Sequence, residues 1–218
     1  MTNKKTIYTC LIIGLFTAAI FSLGLGAMQI PVLDVIAILC KRIGIINLTI
    51  TDDLAENVLL YVRLPRIVLG MLVGAALGIS GAAIQGIFRN PLAEPGLIGI
   101  SAGASLFAVL IIGMESLLFV YLSEILGFYL LAFAAFAGAG FTAMLVYQFS
   151  RTEGKPNVAT MLLAGIAINA LAGALTGLLT YTADEQQLRT ITFWMLGSLG
   201  GANWNMIIGI APFILIPV

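Results

Sequence analysis

Long apolar runs alternate with short polar stretches along the whole chain, and this alternation predicts a bundle of membrane-spanning helices. A helix of about 20 apolar residues crosses a hydrocarbon core of about 30 Å. The final run holds two prolines and is too short to complete a span. We expect an all-α polytopic membrane protein with five full transmembrane helices and a truncated sixth, at 7–30, 67–88, 97–114, 125–149, 158–182 and 206–218.

Two longer connections separate some of these runs, at residues 31–66 and 183–205. Both mix apolar with polar residues, which is typical of amphipathic helices lying on a membrane face. Trp194 and Trp204 in the second connection are of the residue type that favours the boundary between lipid and water. We expect residues 1–218 to form a single transmembrane domain that is incomplete at its C-terminus.

The second span carries small residues at a helical spacing. Residues four apart lie on one face of a helix, and glycines there let a second helix approach closely. A stiff turn with two prolines follows this span and leads into the third. The pattern predicts tight helix packing through Gly70, Gly74 and Gly78.

Arg63 and Arg66 precede the second span within the sequence RLPR. Arginines beside a span commonly anchor it at the membrane interface. They also form firm bidentate pairs with carboxylates, so a charged socket for a soluble partner is the alternative interpretation. Spacing alone leaves both interpretations open.

The fifth span places Gly165, Asn169 and Gly173 on one helical face. One interpretation is a tight helix contact with a single interhelical hydrogen bond from Asn169. The other is a wall of small residues along a translocation path. The two interpretations are compatible if one face of the helix packs against a neighbour and another lines the path.

The composition narrows the classes of function. The chain is 61% hydrophobic and 9% charged, with no net charge, so a soluble domain and a nucleic-acid partner are not expected. It has no histidine and only Cys10 and Cys40, so we expect neither a metal site nor another cofactor. The spans hold almost no ionisable residues, and the chain lacks a phosphate-binding G-x-x-x-x-G-K-[ST] motif. It is therefore expected to be neither an ion-coupled carrier nor an enzyme.

Lysines and arginines divide evenly between the two sides of the membrane and leave the orientation of the chain undecided.

Several stretches together resemble the permease subunits of binding-protein-dependent ABC importers for iron chelates, haem and cobalamin, the FecCD type. The resemblance covers most of the chain from residue 60 onward, in the family's order. The matching pieces are RLPR at 63–66, GAALGISGAAIQ at 74–85, RNPLAEPGLIGISAGA at 89–104, LLAGIAINAL at 162–171 and FWMLGSLGGANW at 193–204.

This resemblance implies a ten-helix permease in the inner membrane that pairs with a second permease copy as a homodimer. It also implies an ATP-binding ABC subunit on the cytoplasmic side and a periplasmic substrate-binding protein on the other. The N-terminus would then be cytoplasmic, and residues 31–66 and 183–205 periplasmic.

The resemblance also implies roles for particular residues. Arg63 and Arg66 match the position that meets acidic residues of the binding protein, and the face of the fifth span with Asn169, Gly165 and Gly173 would line the path. The cytoplasmic gate would comprise Asn90, Leu92, Val158 and Ala159. Cobalamin permeases tend to have hydroxyl residues where this chain has the last two.

The sequence of residues 162–204 is most similar to that of haem permeases, with ferric siderophore permeases close behind and cobalamin permeases as an alternative. The family has about twice the spans predicted here. This leads us to expect a truncated or split permease that cannot couple ATP hydrolysis to transport alone. The alternative is a membrane fragment that does not transport and only docks partners.

Overall fold

The computed structural model describes residues 3–44, 53–114, 128–152 and 154–216, which are predominantly helical. A π-helical turn at Val58–Arg63 and a 3-10 turn at Pro95–Ile98 each precede a longer helix. Two short strands, β1 (Arg151–Thr152) and β2 (Lys155–Pro156), form an antiparallel hairpin. The helices are α1 (Lys4–Gly24), α2 (Val32–Arg42), α3 (Asp53–Asn57), α4 (Leu64–Phe88), α5 (Ile100–Met114), α6 (Phe128–Phe149), α7 (Val158–Thr182), α8 (Glu185–Leu196) and α9 (Trp204–Leu215).

Four helical segments within the described residues are long and apolar enough to cross a membrane. They are Lys4–Gly24, Asp53–Phe88, Tyr129–Phe149 and Val158–Thr182. The expectation of an all-α polytopic membrane protein is confirmed. Helices α5 and α9 are apolar but shorter.

The first and third predicted spans each include a turn that lies outside the observed helix. The first ends at Gly24 instead of residue 30, because the chain turns back there and the amide of Ile30 donates to the carbonyl of Gly24 at 3.1 Å. The third begins at Ile100 instead of residue 97, because Gly99 adopts a left-handed conformation with φ of 80°. Apolar composition continues through both turns, so hydropathy alone does not reveal them.

The second span belongs to a longer helix than the sequence predicted. Asp53–Phe88 is one continuous helical segment of 36 residues, about 54 Å long at 1.5 Å per residue. Its charged residues all lie before Ile67, and the remaining part, about 33 Å long, matches the predicted span. Pro65 is buried just after the π-helical turn. That wider turn suits a proline, which has no amide hydrogen and crowds the preceding turn of an α-helix.

The chain divides into two compact units, Met1–Leu77 with Leu199–Val218 and Gly78–Ser198. The first unit has a core built around Val35, Ile38 and Leu59, where α2 packs against the end of α1 and the π-helical turn. The second unit has two clusters, one around Val146 and Ile98 and one around Val109 and Ile191. Each unit thus has an apolar core of its own.

Candidate functional site

The two loops that hold the predicted gate lie at the same end of the second unit. Phe88 and Ala93, which flank the turn after α4, are buried in one cluster with Val146 near the end of α6. Met161 and Leu162, in the first turns of α7, pack against the same cluster. The turn after α4 and the start of α7 are therefore neighbours, although about 70 residues separate them along the chain.

The turn after α4 has a tight and well-defined geometry. Arg89 takes a left-handed conformation, with φ of 48°, and the amide of Asn90 donates to the carbonyl of Gln85 at 3.2 Å. This is the Schellman pattern that ends many helices, with arginine where glycine is usual. The side-chain oxygen of Asn90 accepts a hydrogen bond from the amide of Leu92 at 2.9 Å. The bond holds the turn and leaves the Leu92 side chain 85% exposed.

The other two gate residues open helix α7. Asn157 caps the helix, because its side-chain oxygen accepts from the amides of Ala159 and Thr160 at 2.9 and 3.2 Å. Val158 and Ala159 are exposed. The four gate side chains are uncharged and exposed, and they stand on turns fixed by asparagine side chains.

Basic residues surround this end of the second unit. Arg89, Arg151 and Lys155 are all exposed there, the last two on the β1–β2 hairpin. The guanidinium of Arg151 lies 6.0 Å from the centre of the Tyr147 ring, at the end of α6. This end thus carries positive charge next to interfacial aromatic residues.

The face of α7 with the predicted path residues falls into two parts. Asn169 donates from Nδ2 to the carbonyl of Gly96 at 2.8 Å, and Gly165 faces the carbonyl of Leu97, where a side chain would collide. Gly173, two turns further on than Gly165, has open space around its Cα. The first part of the face is a tight contact with the 3-10 turn, and the second part has no close neighbour among the described residues.

Thr142 on α6 is a structural residue that the sequence analysis did not select. Its hydroxyl lies 3.0 Å from both the Gly99 and the Gly138 carbonyl oxygens, and it is buried. Gly103 and Gly138 meet beside it, so closely that a side chain on either would collide with the other helix. A signal was present: Thr142 is the only polar residue between Leu130 and Val146.

The two candidate docking arginines belong to the first unit and have different surroundings. Arg63 is only 9% exposed, and its guanidinium donates to backbone carbonyls of Leu23, Gly24 and Met28. Arg66, one turn later, is exposed and makes a long bond of 3.3 Å to the carbonyl of Gly200. The two arginines therefore differ in their availability to a partner.

The predicted glycine packing face is largely unoccupied in the described residues. Gly70 lies in contact with Leu199, whereas Gly74 and Gly78 have nothing within 4 Å of an added side chain. A groove of about 750 Å³ runs along α1 and the first half of α4, past Gly70 and Gly74, with Arg66 in its wall. Helix packing through these glycines stays a prediction.

Charged and metal-binding groups are sparse in the described parts of the chain. No cluster of three or more histidine, cysteine or acidic residues occurs there. Cys10 and Cys40 are free thiols. A salt bridge of 2.7 Å joins Lys41 and Glu56, tying α2 to α3.

Comparison with known proteins places this helical membrane fold in the class of transport permeases. The sequence profile of the FecCD transport family matches residues 12–218. The chain belongs to that family, as the resemblance had indicated.

Several characterised relatives carry transport names. The hemin transport system permease protein HmuU of Yersinia pestis is 46% identical over 77% of this chain and 48% of its own length. The cobalamin import system permease protein BtuC of Halobacterium salinarum is 37% identical over 75% of this chain and 42% of its own. The iron(3+)-hydroxamate import system permease protein FhuG of Bacillus subtilis is 37% identical over 99% of this chain and 61% of its own. The chain thus spans about half the length of these relatives.

A solved structure has the same fold. It is an ABC transporter of the metal-chelate type in an inward-facing conformation, with a TM-score of 0.74 and 30% identity. The match covers 97% of this chain and 59% of that chain.

Proposed function

We propose that this chain is a permease subunit of a binding-protein-dependent ABC importer for an iron chelate. The observation that carries the proposal is the FecCD family match over residues 12–218, on a chain with four apolar helices long enough to span. The relative with 46% identity, a hemin permease, favours haem as the cargo. The hydroxamate permease, which matches 99% of this chain, makes a ferric siderophore the second candidate. Cobalamin is the weaker alternative, because Val158 and Ala159 lack the hydroxyls that the family resemblance associates with it.

In this proposal, Asn90, Leu92, Val158 and Ala159 close the cytoplasmic end of the path. The shared location of their two loops and their exposed, uncharged side chains support that role. A gate of this kind blocks a bulky solute by shape and holds no charge that would bind the chelate tightly. The open face of α7 at Gly173 is the part of that helix best suited to line the path.

The orientation follows from the same assignment. The gate end, with Arg89, Arg151 and Lys155, lies on the cytoplasmic side of the inner membrane. The N-terminus is then also cytoplasmic, and residues 31–66 and 183–205 are periplasmic.

Transport of this type needs partners. An ATP-binding ABC subunit hydrolyses ATP on the cytoplasmic side, and a substrate-binding protein delivers the chelate from the periplasm. A second permease copy completes a homodimer around the path. Arg66, exposed near the start of α4, is the charge best placed to meet acidic residues of the binding protein. Arg63 shares that predicted role, but it is buried.

Uptake by proteoliposomes tests the proposal. The protein is purified from its native membrane together with any permease chain that complements it and is reconstituted with its ATP-binding subunit. Uptake of radiolabelled haem is followed after addition of the binding protein. We expect accumulation that requires both ATP and the binding protein, and a strong loss of uptake in Gly173→Phe at unchanged thermal stability. Ferric siderophore and cobalamin are run in parallel to identify the cargo.

The other outcomes each have a meaning. Uptake of cobalamin in preference to both iron chelates overturns the cargo proposal. Binding-protein affinity without uptake of any of the three cargoes overturns the transport proposal and supports the docking-only alternative.

A further inference from the structure

The buried guanidinium of Arg63 closes the C-terminal end of α1. The last carbonyls of a helix have no partner within the helix and form the negative end of its dipole. Arg63 Nη1 donates to the carbonyls of Leu23 and Gly24 at 2.6 and 3.0 Å, and Nη2 donates to that of Met28. Residues that are 35 to 40 positions apart along the chain are joined in this way.

The absence of a side chain at Gly26 leaves space for the Arg63 guanidinium. A methyl group built on Gly26 would lie 2.8 Å from Arg63 Nη2 and 3.0 Å from Cζ. These distances are shorter than van der Waals contact, so any side chain at residue 26 would displace the guanidinium. The hydrogen-bonded position of the guanidinium therefore requires both the arginine at residue 63 and the glycine at residue 26.

The surroundings of Arg63 satisfy its charge without an acidic group. Among the described residues no carboxylate forms an ion pair with it, and the salt bridge found there joins Lys41 and Glu56. Burying a cation is unfavourable unless its donors are matched, and three backbone carbonyls at a helix end provide that match. Arg66, in contrast, is exposed and makes a long bond of 3.3 Å to the carbonyl of Gly200.

We infer that Arg63 is a structural latch, which ties the end of α1 to the π-helical turn that precedes α4. This role goes beyond the proposed function and holds whether or not the chain transports.

A thiol probe under the latch tests this inference without any partner. Ile30 lies in the same turn and is 4% exposed. In a background in which Cys10 and Cys40 are replaced by serine, the Ile30→Cys thiol should react slowly with maleimide. Arg63→Gln and Gly26→Ala should each raise the reaction rate about tenfold or more, a change of about 1.4 kcal/mol in the opening equilibrium.

Matched variants keep this test specific. Gly74→Ala lies in the same unit with open space around it, and Arg66→Gln removes a neighbouring charge; both should leave the rate unchanged. The double variant Arg63→Gln with Gly26→Ala should react no faster than the faster single variant, because both remove the same latch. Arg63→Lys, which keeps a donor, should be intermediate and remains useful if Arg63→Gln does not accumulate. An unchanged rate in both Arg63→Lys and Gly26→Ala would overturn the latch.

Discussion

Asn169 on α7 donates a hydrogen bond from Nδ2 to the carbonyl oxygen of Gly96, 2.8 Å away and 73 residues earlier in the chain. The acceptor lies in the 3-10 turn between the gate turn and α5. The bond therefore ties the helix with the open Gly173 face to the segment that follows Asn90 and Leu92. A polar residue in an apolar helix here has a definite structural partner.

Removing this bond should destabilise the second unit. We expect Asn169→Leu to lower the free energy of unfolding by about 1–2 kcal/mol, because one hydrogen bond is lost and the Gly96 carbonyl loses its donor. Thermal unfolding in detergent measures the effect. The control is Gln148→Leu, which changes an exposed amide on α6 and should melt like the parent. Equal melting of both variants would contradict the prediction.

Two glycines on one face of α7 should respond in opposite ways to alanine. Gly165→Ala places a methyl group against the carbonyl of Leu97 and should destabilise by about 1–3 kcal/mol, as overpacking does. Gly173→Ala adds a methyl group into open space and should be neutral or stabilising by up to about 1 kcal/mol. Melting curves of the two alanine variants, measured under identical conditions, test this predicted difference in stability. A destabilised Gly173→Ala would mean that this part of the face is filled.

The turn after α4 should be more stable with glycine at residue 89. Among the described residues Arg89 is the one non-glycine residue with a positive φ, and a side chain in that conformation is unfavourable by about 1 kcal/mol. We expect Arg89→Gly to be more stable than Arg89→Ala by about that amount. Comparing these two variants removes the effect of the lost charge. The unfolding temperature measures the difference, and the reverse order would show that residue 89 is not left-handed in the membrane.

The proposed orientation predicts which side of the membrane reaches two exposed residues. Leu92 is 85% exposed in the gate turn, and Ile43 is 73% exposed just after α2. With Cys10 and Cys40 replaced by serine, we expect Leu92→Cys to react with an impermeant maleimide in inverted vesicles and Ile43→Cys in right-side-out vesicles. The opposite pattern would place the N-terminus outside the cell. Labelling of both residues from one side would contradict their assignment to opposite membrane faces.

Much of the fold could be predicted from hydropathy, because lipid requires a spanning backbone to satisfy its own hydrogen bonds as a helix. The segment Val158–Thr182 has the bounds that the pattern predicted. The long helix could not be predicted in full, since Asp53–Arg66 mixes charged and apolar residues and projects beyond the predicted span. The 3-10 turn at Pro95–Ile98 begins in the predicted proline turn, but its last two residues lie in the predicted third span.

The site was only partly predictable for a similar reason. A motif places Asn90 and Val158 in particular turns, but the neighbourhood of those turns depends on packing around Val146. The sequence presents Arg63 and Arg66 as equals. Burial under the end of α1 separates them, because the Arg63 guanidinium lies against Gly26 and donates to the Leu23 carbonyl, whereas Arg66 is exposed.

The sequence by itself determined that this is a helical, multi-pass member of a permease family, because apolar run length and an unusual Pro-rich turn are local properties. Only the tertiary structure decided which small and polar residues are packed and which are open. Gly165 and Gly173 are both glycines on the same predicted helical face, yet Gly165 faces a carbonyl and Gly173 faces open space. That difference arises from contacts between segments distant along the chain, whose geometry no local pattern specifies.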